Sequence, residues 1–166
     1  MTETNTNTNT VPEKPTGPNF RIQRIYLKKS SLDASNSVRV AQEPVRPTMD
    51  VQIGITVEPV NDSLVEVVVL FHVKAQADEL TICECHIEQA GRFEVHGFDA
   101  QQRMQFERAV CPQIMFPYVR FNLNDMFTRA GLPPVQLDEI NFHALLQQQL
   151  EQEEADKKQA RMKNGA

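Results

Sequence analysis

The feature that most constrains the fold is a run of alternating apolar and polar residues in the middle of the chain, LVEVVVLFHVKA. Its apolar positions are Val65, Val67, Val69, Phe71 and Val73, and its polar positions are Glu66, His72 and Lys74. A period of two places these two sets on opposite faces of a β-strand. A strand with one apolar and one polar face predicts an antiparallel sheet that buries a single face.

Three further segments alternate in the same way and predict three more strands. The residues that would share a face are Phe20, Ile22, Arg24 and Tyr26 in the first, Val51, Ile53 and Ile55 in Met49–Val57, and Thr81, Cys83, Cys85 and Ile87 in LTICECHIEQ. A polar connection separates the first two strands, from Lys28 to about Thr48, and Asn61-Asp62-Ser63 predicts a turn before the third. Mostly short turns between four strands predict an antiparallel meander.

The second half of the chain has the periodicity of helices. The segment from Gln101 to Cys111 predicts one helix, which we expect to end near Cys111-Pro112 because proline disrupts a helix interior. The next ends at Gly131, and the last begins near Asn141, a favourable N-cap residue. Their apolar stripes are Val119, Leu123, Met126 and Phe127, and then Phe142, Leu145, Leu146 and Leu150. Strands followed by helices predict the α+β class: a four-stranded antiparallel sheet with two to three amphipathic helices packed on one side.

Composition divides the chain into three parts. Residues 1–19 are rich in Thr and Asn and predict a disordered polar arm, residues 20–150 form the folded domain, and residues 151–166 predict a charged, flexible tail. A net charge of -5 argues against nucleic acid as a partner, because phosphate recognition needs a basic surface. The chain has no apolar run that would insert into a membrane, and its N-terminus does not resemble a signal peptide, so we expect a cytoplasmic protein.

The three cysteines raise the question of a metal centre or an enzyme. On a strand, Cys83 and Cys85 point to one face while His86 points to the other, so these residues cannot converge on one metal ion. Cys111 has no base close to it in the sequence to activate it as a nucleophile. No glycine-rich phosphate loop or hydrolase motif is present. We therefore expect no catalysis, no metal and no cofactor, with a thiol-dependent or metal enzyme built on these cysteines as an alternative from another class.

Apolar surface is more abundant than so small a domain covers by itself. The segment MFPYVRF and the predicted strands contribute most of this surface. An excess of exposed apolar surface marks an interface, which favours an oligomer and a binding role. A purely structural oligomer is the remaining alternative.

Four sequence blocks occur together, in order, over residues 20 to 150: FRIQRIYLK at 20–28, CHIEQAGRF at 85–93, CPQIMFPYVR at 111–120 and PPVQLDEINFHALLQQQ at 133–149. With these blocks the chain resembles the SecB protein-export chaperones. The resemblance implies a cytoplasmic homotetramer, a dimer of dimers, that uses no ATP. It also implies that the protein holds precursor polypeptides unfolded in long apolar grooves and delivers them to the SecA motor. A SecB-like chaperone dedicated to one client, such as an antitoxin, is the alternative.

The resemblance also implies roles for individual residues. The expected client contacts are Val45, Met49, Val51, Ile53, Phe142, Leu145 and Leu146; the expected contacts between dimers are Val119, Leu123, Met126 and Phe127; and the expected SecA-docking residues are Asp33, Glu84 and His86. The docking surface of the family is acidic, and in this set only Asp33 and Glu84 supply negative charge.

Overall fold

The computed structural model describes residues 17–40 and 47–164. Its strands are β1 (Asn19–Asp33), β2 (Thr48–Pro59), β3 (Leu64–Ala77) and β4 (Leu80–His96). Its helices are α1 (Ser37–Val40), α2 (Ala100–Gln105), α3 (Cys111–Arg129) and α4 (Phe142–Asn164), with a π-helical turn at Phe106–Val110. The predicted polar arm, apart from residues 17–19, and Val45 lie outside the described residues.

The four strands form one antiparallel sheet in the order β1-β4-β3-β2. The predicted strands, the antiparallel pairing and the α+β class are confirmed, but the predicted meander is wrong for β1, which pairs with β4 rather than with β2. The order is that of a Greek key, in which one long connection returns a strand to the far edge. The connection between Asp33 and Thr48 is long enough to lead the chain from one edge of the sheet to the other.

The apolar face of β3 forms the centre of the core, as its alternation predicts. Val65, Val67, Val69, Phe71 and Val73 are all buried, and across the β3–β4 ladder they face other apolar residues such as Phe93, Ile87 and Cys85. Helix α3 covers this face, and the rings of Phe71 and Phe116 stack with their centroids 5.8 Å apart. The helices therefore lie on one side of the sheet, and the other side is an outer face.

Irregular pairing in β1 changes which of its residues share a face. Phe20 and Ile22 lie opposite Val95 and Phe93, on the helix side of the sheet. The register then shifts between Ile22 and Arg24, so that Arg24 and its neighbour Tyr26 belong to the outer face. The prediction that these four β1 residues share one face is wrong, because a bulge adds a residue and reverses the alternation beyond it.

The helical run from Ala100 to Arg129 passes through Pro112 without ending, so the predicted stop at Cys111-Pro112 is wrong. The π-helical turn ends two residues before this proline, and the Cys111 N–H donates to the Phe106 carbonyl five residues back. A π turn widens the helix where the proline ring would otherwise meet a carbonyl of the preceding turn. The predicted end of α3 is confirmed, because Gly131 follows it with a φ of 71°.

Helix α4 begins where the sequence predicts and ends later. The Asn141 side chain accepts a hydrogen bond from the Ala144 N–H at 3.0 Å, the geometry of an N-cap. The helix then continues beyond Glu151 to Asn164, where a flexible tail was predicted. Glu153 and Glu154 each precede a lysine by four residues, a spacing that supports an exposed helix without an apolar face. Within residues 17–40 and 47–164, no helix combines the length and hydrophobicity needed to cross a bilayer.

One carboxylate organises the outer face of the sheet at the β1 end. Glu66 is only 5% exposed, yet it accepts hydrogen bonds from Tyr26 Oη at 2.6 Å, Lys28 Nζ at 2.8 Å and Arg92 Nε at 2.9 Å. The bonds from Lys28 and Tyr26 lower the pKa of Glu66 from 4.5 to about 2. This network ties β1 to β3 and β4 by side chains as well as by the backbone.

Replacement of Glu66 by Gln tests this network. We expect Glu66→Gln to lower the free energy of unfolding at pH 7 by about 1–3 kcal/mol, because it removes the charge and part of the bonding. A lowered native pKa stabilises the fold fully above pH 4.5, and this contribution is lost as the pH falls towards 2. Urea unfolding at pH 7, 4 and 3 should therefore show a weaker pH dependence in the variant. Glu79→Gln at an exposed position is the control, and an equal effect there would contradict the role of Glu66.

Candidate functional site

An apolar groove runs between the edge strand β2 and the segment 132–140 that joins α3 to α4. It consists of two adjoining cavities of about 320 and 310 Å³, and both are lined by Met49, Val135 and Gln136. We call it the β2 groove. Its apolar lining also includes Val51, Ile53, Leu132, Pro133, Pro134, Leu137 and Ile140.

The β2 wall of this groove is the uncovered margin of the core face. Met49, Val51 and Ile53 point to the helix side of the sheet, where Val51 faces Val73 and Ile53 faces Phe71. Because β2 is an edge strand, α3 does not cover these positions as it covers β3 and β4. Met49 is 40% exposed and Val51 is 36% exposed. Apolar side chains are thus aligned along an open edge.

The second wall of the groove is not helical, and the reason lies in its prolines. Pro133 and Pro134 follow the end of α3 and exclude further helix. The chain then carries Val135, Leu137 and Ile140, which are partly buried and pack against the core. The sequence analysis did not include these three residues among the client contacts. Their apolar side chains lie between the proline pair and the N-cap residue of α4, a pattern that indicates a connection packed against the core.

The backbone of β2 adds hydrogen-bonding capacity to the groove. Among the described residues, β2 pairs with β3 on one side and with no strand on the other. The free peptide groups of an edge strand are able to pair with another extended chain. An extended polypeptide at this edge would gain main-chain hydrogen bonds as well as apolar pockets.

A second cluster of functional side chains lies on the outer face, away from the groove. Asp33 of β1 lies opposite Glu84 of β4, and His86 follows two residues later on the same face. The structure thus brings the three predicted docking residues together. It also adds His72, which lies opposite His86 across the β3–β4 ladder and whose Nε2 is 2.7 Å from Glu84 Oε1.

Both predicted carboxylates of this cluster are ionised more readily than usual. The hydrogen bond from His72 is the main cause that lowers the pKa of Glu84. The Ser35 hydroxyl and backbone N–H both donate to Asp33 and lower its pKa. The sequence analysis did not identify His72 as a member of this cluster, because His72 precedes Glu84 by twelve residues and contacts it only through strand pairing.

The cysteines are buried core residues, and of the three only Cys83 also borders the β2 groove. Cys83, Cys85 and Cys111 are all buried. Cys83 and Cys85 face the helix side whereas His86 faces outward, as the alternation predicts. Burial raises the pKa of Cys85 to about 11 and raises that of Cys83 and Cys111 as well. These thiols therefore remain protonated near neutral pH, and the thiolate is the reactive form.

Comparison with known proteins agrees with the sequence blocks. The model of the family described as preprotein translocase subunit SecB matches residues 13–153. The chain belongs to the SecB family. The protein-export protein SecB of Albidiferax ferrireducens is 41% identical over 132 residues, which cover 80% of this chain and 85% of that protein. The SecB of Methylibium petroleiphilum is 37% identical over 153 residues, covering 92% and 93%.

A solved structure supports the fold independently. The SecB-like chaperone of Mycobacterium tuberculosis, in complex with a ChAD peptide from the HigA1 antitoxin, superposes with a TM-score of 0.58. The match covers 73% of this chain and 90% of the mycobacterial chain, at 18% identity. The resemblance drawn from the four sequence blocks is confirmed: this is a protein-export chaperone family and not an enzyme class.

The client contacts expected for this SecB-family chain divide into two groups. Met49, Val51 and Ile53 line the β2 groove. Phe142 and Leu146 are instead buried in the core, where the Phe142 ring meets the Phe116 ring edge-on at 5.8 Å. Leu145 is partly buried, and Val45 lies outside the described residues. The apolar stripe of α4 thus packs inside the domain, because the start of α4 lies against the π-helical turn and the first half of α3.

The residues expected between dimers require a correction as well. Val119, Leu123 and Phe127 are buried within the protomer, and Met126 is partly buried against the same core. Their stripe is the face that α3 turns towards the sheet, so three of these side chains are not available to another subunit. The opposite face of α3 carries exposed aromatic residues instead: Tyr118 is 49% exposed and Phe121 is 71% exposed.

Alanine substitution distinguishes a fully buried residue of α4 from a partly buried one. We expect Phe142→Ala to lower the free energy of unfolding by about 3–5 kcal/mol, because it leaves a cavity beside Phe116. Leu145→Ala should cost roughly 1–2 kcal/mol, since Leu145 is only partly buried. Denaturant unfolding followed by circular dichroism measures both. A neutral Phe142→Ala would contradict the placement of this side chain in the core.

Proposed function

We propose that this chain is an ATP-independent chaperone that holds precursor proteins unfolded in the cytoplasm and delivers them to the SecA translocation motor. The observation that carries the proposal is the β2 groove, an open apolar trough beside an edge strand. Membership of the SecB family supports it further. Under this proposal the protein has no catalytic residue and needs no cofactor, because occupancy of the groove keeps the client unfolded.

The groove suits a polypeptide of variable sequence. Each apolar client side chain removed from water contributes on the order of 1–3 kcal/mol. Several such contacts offset the cost of ordering an extended chain. The unpaired edge of β2 binds the client main chain whatever its sequence, and Met49 supplies a side chain that adapts to different partners. Loose specificity is the expected property of such a site.

We propose that SecA docks on the outer face of the sheet. Asp33, Glu84 and His86 lie there, while the β2 groove lies on the helix side. Because the two surfaces occupy opposite sides of the sheet, client and SecA can bind at the same time. Lys29 and Lys74 neighbour these residues across the strands and reduce the negative charge that the motor would meet.

We also propose that the active form is a homotetramer built as a dimer of dimers. The outward face of α3 supports this, because Phe121 is more exposed than most aromatic side chains in a monomer would be. A contact between two copies of α3 would cover the exposed rings of Tyr118 and Phe121.

Titration with a slow-folding precursor tests the chaperone role. We expect sub-micromolar affinity for the unfolded form and none for the folded form. Val51→Ser should weaken binding about three- to tenfold, because it removes two methyl groups from the groove. Val60→Ser is the matched control, since Val60 is a similarly exposed valine that does not line the groove.

Two results of this experiment would count against the proposal. Equal affinity for folded and unfolded forms would exclude a chaperone of unfolded chains and would favour a structural oligomer. An equal loss of affinity in Val51→Ser and Val60→Ser would show that the groove does not bind the client. A pull-down from cell extract then separates a general export chaperone, which retains many precursors and SecA, from one dedicated to a single client such as an antitoxin.

The assembly is tested at the exposed face of α3. We expect a tetramer by light scattering at micromolar concentration, and we expect Phe121→Ser to shift the mass towards dimers without loss of helix content. Val60→Ser again serves as an exposed control. A monomeric native protein, or a Phe121→Ser variant that remains fully tetrameric, would show that this face of α3 is not the contact between dimers.

A further inference from the structure

The outer face carries two histidines in direct contact across the β3–β4 ladder. His72 and His86 are partners in the register, and their rings stack with centroids 4.1 Å apart and an interplanar angle of 6°. Both remain accessible, with 27% of the His72 side chain and 50% of the His86 side chain exposed. Strand pairing therefore holds two imidazoles side by side at the surface.

A carboxylate completes this pair of imidazoles. Glu84 Oε1 lies 2.7 Å from His72 Nε2 and 3.6 Å from His86 Nε2. The three ligand atoms all fall within 4.8 Å of one another. In a strand, residues 84 and 86 share a face, so β4 supplies two of the three donors and β3 supplies the third.

We propose that His72, Glu84 and His86 form a binding site for a divalent transition-metal ion of the zinc class. Bonds of 2.0–2.1 Å in a tetrahedral arrangement separate neighbouring ligand atoms by about 3.3 Å. The distance from Glu84 to His86 is already close to this value. Coordination requires rotation of the Glu84 side chain and of the two imidazole rings out of their stacked arrangement, because parallel stacked rings do not direct their lone pairs at one ion. Two imidazoles and one carboxylate suit Zn²⁺, Ni²⁺, Co²⁺ or Cu²⁺ better than Ca²⁺ or Mg²⁺, which prefer oxygen ligands.

The surroundings of the three ligands leave one coordination position open. Both histidines line a cavity of about 470 Å³ on the outer face, next to Gln52 and Glu88. Water entering this cavity would supply the fourth ligand. Of the charged neighbours, Asp33 and Glu88 favour a bound cation, whereas Lys74 and Lys29, which lies 3.8 Å from Glu88, oppose it. The site thus has three ligands from two paired strands and an accessible entrance.

The chain contains a matched pair that lacks the third ligand. His96 Nε2 lies 3.1 Å from Glu94 Oε1, and its side chain is 49% exposed, much as that of His86 is. Among the described residues, no other histidine, cysteine or carboxylate converges with these two. Two donors bind a metal ion far more weakly than three, so His96 is the control for the proposed site.

The test is a zinc titration of the full chain after treatment with a chelator, followed by calorimetry. We expect one equivalent per chain, and at least a tenfold loss of affinity in both His86→Gln and His72→Gln, with His96→Gln unchanged. Titration with Co²⁺ provides a second readout, because an intense visible absorption band reports a tetrahedral site. Affinity should also fall at acidic pH, since protons compete for the imidazoles.

Three results would overturn the proposal. These are the absence of saturable binding at micromolar Zn²⁺, binding that His86→Gln leaves intact, and an equal loss in His96→Gln. Each would leave the cluster as a hydrogen-bonded His–Glu pair only. Because His86 is exposed, its substitution preserves the fold, which circular dichroism and native mass verify. Client binding by the same protein is measured separately, so failure of the metal site is distinguishable from failure of the proposed chaperone function.

Discussion

The pairing of β3 with β4 beneath α3 is the interaction on which the rest of the structure depends. It buries an unbroken row of valines with Phe71, Ile87 and Phe93, and it places the polar residues of both strands on the other side. Burial of this apolar face is the main stabilising contribution available to a chain of this size. The edge strands have no equivalent cover. β2 is left with open apolar positions, whereas β1 is held by the hydrogen bonds of Tyr26 and Lys28 to Glu66 as well as by its backbone.

This one-sided burial divides the molecule into two surfaces of different chemistry. The helix side ends at β2 in an apolar groove, whose second wall is a proline-led connection rather than a helix. The outer face is charged and contains the Asp33, Glu84 and His86 cluster. Under the proposed function, this separation lets the protein retain a client and meet the motor at the same time. An apolar surface suits many client sequences, whereas a polar surface suits a specific partner.

Helix α3 has one apolar face that is buried in the protomer and exposed aromatic residues on the opposite face. Its regular stripe of Val119, Leu123 and Phe127 packs against the sheet, and the residues between them face outward. Periodicity identifies an apolar stripe but does not say whether a sheet or another subunit covers it. The exposed Phe121 is the better indicator of an interface, because a monomer gains nothing from an aromatic ring in water. Phe142 and Leu146 of α4 likewise belong to an apolar stripe that packs in the core and does not line the groove.

Local pattern determined the four strands, the caps at Asn141 and Gly131, the inert placement of the cysteines and the resemblance to SecB. These features depend on alternation, on capping chemistry and on contiguous blocks, all of which are short-range properties of the chain. Only the tertiary structure decided that β1 pairs with β4, that its bulge reverses Arg24 and Tyr26, and that a π turn leads the helix through Pro112. It alone brought His72 beside Glu84 and His86, and segment 132–140 beside β2. The physical reason is that these contacts join residues far apart in sequence, and their geometry is set by strand register and packing rather than by local preference.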